Sequence, residues 1–194
     1  MIEGDLLARI AACRVCAAFL PLGPRPVVHA GDPRARILII GQAPGTRVHA
    51  SGVPWDDASG KRLRNWLGVE PEAFYDPSKF AIVPMGFCYP GRGKGGDNPP
   101  RPECAPLWHG PVLKTLPNIA LTLLIGSYAH AYYLGERRKA TLGETVKAWR
   151  EYEPSGFIPL VHPSPRNQIW LKRNPWFEAE EVPHLRDRVA SCLS

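Results

Sequence analysis

The sequence predicts an α/β fold of three layers, helix, sheet and helix, built on a mainly parallel four-stranded central sheet. Three observations carry this. Four short, nearly continuous apolar runs rich in branched residues recur along the chain. Stretches with helical character separate them, and that alternation is the mark of parallel crossovers. The runs are apolar at almost every position rather than at every second one, as strands covered on both faces must be. All 194 residues are expected to form one domain, without internal repeats or low-complexity linkers.

The expected strands are residues 35–41 (ARILIIG), 80–87 (FAIVPMGF), 121–127 (LTLLIGS) and 156–164 (GFIPLVHPS). A helix is expected over 5–19. Another is expected over 59–68 (SGKRLRNWLG), with Ser59 as N-cap, Leu63, Trp66 and Leu67 at helical spacing, and Gly68 as the stop. Helices over 105–116, 127–135, 143–152 and 182–193 complete the alternation. The 22 prolines gather in short loops between these segments, such as LPLGPRPV, NPPRPECAP and HPSPRN.

Hydrophobic content of 44% and charged content of 22% are those of a soluble globular protein. No apolar run reaches the roughly 18 residues of a membrane-crossing helix. The start of the chain lacks a basic segment followed by an apolar one, so a cytoplasmic protein is expected. The formal net charge of +6 suits a polyanionic partner such as nucleic acid, and is also found in proteins that bind none.

Ligands of such folds bind beyond the carboxyl ends of the strands, so the strand-exit loops are the candidate sites. In the first loop, 41–57, Gly41 and Gly45 permit tight geometry and Pro44 stiffens the turn. The amides around Gln42 and Ala43 can then point at a ligand oxygen. Trp55, after Pro54, offers a plane for stacking, or a core side chain. The second loop, 88–104, is glycine-rich and basic (Arg92, Lys94, Arg101) but lacks P-loop spacing. The third, HPSPRN (162–167), uses Pro163 and Pro165 to fix the positions of His162, Ser164 and Arg166.

Five cysteines are present. Cys13 and Cys16 have the spacing of metal or redox pairs, and Cys88 and Cys104 flank the second loop. A cytoplasmic protein does not keep structural disulfides. Four thiolates suit tetrahedral zinc or an iron–sulfur cluster. Cys192 is expected to be a free thiol.

Together these loops resemble the uracil-DNA glycosylase superfamily. GQAPG (41–45) is similar to its first motif, in the loop that activates water. SGVPW with RNWLG, and then HPSPRN, resemble the branch selective for single-stranded and mismatched uracil. CRVC with GFC and EC resembles the iron–sulfur branch instead. The similarity spans nearly the whole chain, with the motifs in order. It implies the superfamily's fold, uracil-containing DNA as partner, a monomer, and excision of a flipped-out base.

The resemblance also implies roles. Trp55 would stack on the base, and Gly41, Gln42 and Ala43 would line its pocket and lend amides. His162 would donate to uracil O2. Pro165 and Arg166 would wedge into the duplex, and Ser164 would meet a phosphate. Cys13, Cys16, Cys88 and Cys104 would hold a structural [4Fe–4S] cluster, with zinc or free thiols as alternatives.

Two family features are missing. Neither Gln42 nor Ala43 is a carboxylate able to activate water, which leaves Asp57, Asp56 and, more distantly, His49 as candidates. The asparagine that reads the uracil edge near the end of the second strand is replaced by VPMGF (83–87). Asp56 and Asp57 are also explained as exposed loop carboxylates or helix N-terminal charges. Three readings other than uracil excision stay open. They are excision of a related deaminated base such as hypoxanthine or xanthine, non-hydrolytic binding of uracil-containing DNA, and an unrelated iron–sulfur or zinc protein.

Overall fold

The computed structural model describes residues 3–194. Its strands are β1 (Ile37–Ile40), β2 (Phe80–Ile82), β3 (Arg92–Gly93), β4 (Gly96–Asp97), β5 (Leu121–Ile125) and β6 (Phe157–Leu160). Its helices are α1 (Glu3–Ala11), α2 (Thr46–Ser51), α3 (Ala58–Leu67), α4 (Pro71–Phe74), α5 (Cys104–Lys114), α6 (Ser127–Leu134), α7 (Leu142–Lys147), α8 (Trp149–Tyr152), α9 (Gln168–Arg173) and α10 (Val182–Leu193). The central sheet has the order β2-β1-β5-β6 and is parallel throughout.

Alternation along β1 divides the core. Ile37 and Ile39 face a cluster with Leu63 and Trp66 of α3, Val146 of α7 and Leu185 of α10. Leu38 and Ile40 face the opposite cluster, with Ile10 of α1, Val112 of α5 and Ala129 of α6. These are the three layers the sequence predicts. Because all four strands point one way, their exits at Gly41, Val83, Gly126 and Val161 share one edge.

The strands are shorter than expected, for identifiable reasons. Beyond Ile82 the chain continues to bond to its neighbour (Val83 N to Ile39 O, 2.9 Å; Met85 N to Gly41 O, 2.9 Å), but Pro84 has no donor to offer. β6 stops before Pro163 and Pro165. Pro159 is tolerated within β6 because that strand lies at the sheet's edge. The other edge is covered: His29 and Ile82 exchange backbone hydrogen bonds in an antiparallel bridge (2.9 and 2.6 Å).

Three helix expectations need correction. The segment 5–19 is not one helix: α1 ends at Ala11, the chain turns through Cys13–Cys16, and a short 3-10 turn follows at Ala17–Phe19. The N-cap of α3 is Asp57, whose Oδ1 accepts from Gly60 N at 2.8 Å, while Ser59 is buried inside the first turn. Residues 143–152 form two helices, α7 and α8, broken at Ala148. Thr141 and Glu144 form a capping box at the start of α7. The hairpin β3–β4 and helices α2 and α9 lie where the sequence gives only loop signals.

Two buried titratable groups set opposite pH limits on the fold. His130 donates from Nε2 to Leu124 O (2.9 Å), its Nδ1 is buried without a partner among the described residues, and burial lowers its pKa to about 4. The unfolded chain, with a value near 6.5, takes up this proton first. Stability therefore falls as pH drops from 6.5 towards 4. Glu181, in the π-helical turn before α10, has both carboxyl oxygens buried without partners among the described residues, and burial raises its pKa well above 4.5. The folded state keeps a proton that the unfolded chain loses, so stability falls as pH rises above 4.5. Glu181→Gln is expected to stabilise the protein by about 1–3 kcal/mol at pH 8 and hardly at all at pH 4, as measured by denaturant unfolding at both values.

Candidate active site

The site grows from one strained residue. Trp55 has φ of +58°, the only positive φ outside glycine among the described residues. Such a conformation costs on the order of 1–3 kcal/mol and persists only where its surroundings enforce it. Here they do. A Cβ on Gly60 would stand 1.8 Å from Trp55 O, so α3 can pack against this peptide only through glycine. Arg64 donates to Trp55 O (3.4 Å), and the Tyr75 hydroxyl donates to Pro54 O (2.9 Å). The indole lies over Gly41, where a Cβ would come within 2.9 Å of Cζ2.

The result is a cleft of about 440 Å³, counting its open mouth. Gly41, Gln42, Ala43, Trp55, Asp57 and His162 line it, with an apolar wall of Val27, Val48, Ile82 and Pro84. The amides of Gln42 and Ala43 have no acceptor among the described residues. The Gln42 side chain donates from Nε2 to Asn98 O (3.2 Å), which ties the first loop to the base of the β3–β4 hairpin.

His162 leaves β6 half-buried, its ring centroid 5.5 Å from that of Trp55 and tilted by 33°. Its Nδ1 accepts from Ser164 N (3.1 Å), so in the neutral ring the proton sits on Nε2. Burial lowers the pKa of His162, and the Asp57 carboxylate opposes this only in part. The side chain is therefore a neutral donor at pH 7. Asn167 Nδ2 bonds to His162 O (2.7 Å), and Arg62 of α3 bonds to Ser164 O (3.3 Å) and Gln168 Oε1 (3.0 Å). The loop is thus pinned from inside and from the side.

The remaining sequence candidates are divided by the structure. Asp57 lines the cleft, with Oδ1 spent on the helix cap and Oδ2 without a partner among the described residues. Asp56 is outside the lining, 42% exposed and 3.9 Å from Arg47. His49 is also outside it, packed near Tyr89. Ser164 Oγ accepts from Arg166 N (3.2 Å) and caps a 3-10 turn. Pro165 is exposed, and Arg166 reaches across to Gly95 O at the hairpin tip (3.4 Å).

A second, apolar cavity brings Cys13, Cys16, Cys88 and Cys104 together, although 72 residues or more of sequence separate one pair from the other. Phe87 N donates to Cys104 Sγ (3.3 Å), and Cys16 Sγ stands 3.8 Å from Glu103 Oε2. Burial pushes the Cys104 thiol up to about 12 and raises Cys16 and Cys88 as well. Among the described residues no three His, Cys, Asp or Glu side chains stand at the spacing of a single-ion site. All five cysteines, Cys192 included, are free of disulfides.

A family model described as the uracil DNA glycosylase superfamily matches residues 28–186. The chain belongs to this superfamily. It is accordingly a glycosylase of that family, with DNA as its partner. The superfamily match begins after Cys13 and Cys16 and includes Cys88 and Cys104. No described helix is long and apolar enough to cross a membrane.

Sequence reading missed Asn98, Arg62 and the hairpin as supports of the glycosylase cleft. The Gly-Gly-Asp-Asn run at 95–98 is a turn signal that marks the hairpin. Nothing local marks Arg62, since its partners lie more than 100 residues away.

Gly41→Ala tests the seat of Trp55. The added methyl would displace the indole, so affinity for substrate DNA should fall at least tenfold while the melting temperature moves by only a few degrees, measured by fluorescence anisotropy and calorimetry.

Proposed function

We propose that the protein excises uracil from DNA by hydrolysing the N-glycosidic bond of a flipped-out nucleotide. The observation that carries this reading is the neutral His162 Nε2–H, held by the Ser164 amide in the same cleft as Trp55. A base in a duplex is out of reach, so the nucleotide must leave the stack. The base stacks on Trp55, and the free amides of Gln42 and Ala43 receive its oxygens. As the bond from C1′ to N1 lengthens, the electron pair moves into the base and charge builds on O2. A fixed neutral donor stabilises that charge without having to give up its proton.

Asp57 Oδ2 orients water towards the sugar cation, which its negative charge also stabilises. Pro165 and Arg166 fill the vacated stack, and Ser164 meets the adjoining phosphate. Asp56, paired with Arg47 outside the cleft, is the weaker candidate for water.

The four cysteines would hold a [4Fe–4S] cluster. Free thiols around one apolar cavity and an amide donor to Cys104 Sγ fit such a group. When bound, it supplies a cross-link between the turn after α1 and the start of α5. Zinc is the alternative occupant.

A second reading has a specific observation in its favour. The wall of Val27, Val48, Ile82 and Pro84 carries no side-chain amide to read the uracil edge. The Pro84 carbonyl is already bonded to His109 (3.0 Å). A related deaminated base such as hypoxanthine or xanthine is the substrate this favours.

Base release is the direct test, on strands carrying one uracil, hypoxanthine or xanthine. Uracil release supports the main reading, release only of a purine supports the second, and uracil-specific binding without release would mean a non-hydrolysing binder. His162→Ala should slow single-turnover release by roughly 10²–10³-fold. The wild-type rate should be flat from pH 7 to 9 and fall in acid with an inflection below 6.5, because protonation of Nδ1 breaks its bond to Ser164 N. Asp57→Asn keeps a good helix cap but not the charge. It should lose activity with little change in stability, whereas Asp57→Ala should lose both. For the cysteines, iron and sulfide in anaerobically purified protein are expected at about four each per chain. One zinc and no iron would reject the cluster.

A further inference from the structure

A second groove opens near the same edge of the sheet, and it shares no lining residue with the cleft. Its one wall is the solvent face of α6, where Tyr128 and Tyr132 stand one helical turn apart, 38% and 47% exposed, with Ala131 between them. Facing them are Pro99, Pro100, Pro102 and Pro106, and Met85 lies in the floor. The outward face of α6, at Ser127, Tyr128, Ala131 and Tyr132, carries no charge. The Tyr132 ring is not loosely placed. Tyr132 packs edge-on against Tyr133 (5.2 Å between centroids) and His109 (5.8 Å), and His109 is locked between the Tyr133 hydroxyl (2.6 Å) and Pro84 O (3.0 Å).

This groove adjoins the cleft at two places. Pro84 lines the cleft and Met85 the groove. Gln42 lines the cleft and bonds to Asn98 O, and Pro99 begins the groove wall. The β3–β4 hairpin, which leads into Asn98 and Pro99, presents exposed Arg92 and Lys94.

We propose that this groove is a stacking shelf for an unpaired DNA strand, on which Tyr128 and Tyr132 each hold a base next to the one in the cleft. Rigid aromatic planes beside a basic element are how proteins hold single strands without reading sequence, because every base offers a π-face. The chain's net charge of +6 favours the same partner. The inference rests on the glycosylase reading, since the shelf is defined by its continuity with the base cleft.

The test compares binding by the protein of two uracil-containing ligands, a single strand of ~20 nucleotides and, as the short one, 2′-deoxyuridine 5′-monophosphate, which has no neighbouring base to lay on the shelf. Tyr128→Ala with Tyr132→Ala should weaken binding of the long strand by roughly tenfold for each tyrosine and leave the affinity for the short one as it was. Tyr128→Phe with Tyr132→Phe should bind like the wild type, because stacking needs the ring and not the hydroxyl. Equal affinity of the alanine and wild-type proteins for the long strand overturns the proposal. So does loss of affinity by the alanine protein for a proline-rich peptide with DNA binding intact, which would assign the groove to a protein partner. A wild type that neither binds nor processes either uracil ligand would refute the uracil reading of the cleft, a result distinct from both.

Discussion

The left-handed backbone at Trp55 is the constraint on which the cleft depends. Its peptide is pressed against α3 at Gly60, its carbonyl is held by Arg64, and its ring lies on Gly41. Remove any one and the indole can relax towards the core cluster that it already borders. Strain stored at a functional residue must be matched by stable surroundings, and here these are α3 and the end of β1, both packed in the larger core. The same helix supplies Arg62 to the His162 loop and is capped by Asp57. One helix therefore sets the distances among Trp55, His162 and Asp57.

Electrostatics complete what packing begins. His162 would be a poorer device if it were charged, because an imidazolium in this half-buried place would have to be desolvated and would lose the Ser164 amide. The neutral tautomer is fixed by a backbone donor two residues ahead, and the spacing of that donor is set by Pro163 and Pro165. Asp57 is near enough to influence the ring, but burial outweighs it.

Much of this was legible in the sequence. The apolar runs located all four central strands, because doubly covered strands leave a local signature, and the first and third strand-exit loops contain most of the groups that line the cleft, while the second contributes none. What stayed hidden was mostly non-local. Whether Asp57 or Ser59 caps α3 depends on where the chain enters the helix, which Trp55 decides. The division of Asp56 from Asp57 depends on Arg47, brought near by an unforeseen α2. The break in the first helix follows from the cysteine cavity, whose other half lies some 70 residues further on. The groove beside α6 has no sequence signal beyond two tyrosines four residues apart.

The closing of the sheet's two edges has a consequence for the protein at high concentration. A bare edge strand invites another chain to add its own backbone ladder, the first step towards ordered aggregates. On β6 the ladder is interrupted at Pro159, which has no N–H to give, and on β2 the position is already taken by the segment around His29. A foreign strand meets either a missing donor or an occupied one, so partial loosening of the surface helices would still leave no template for the growth of a fibril.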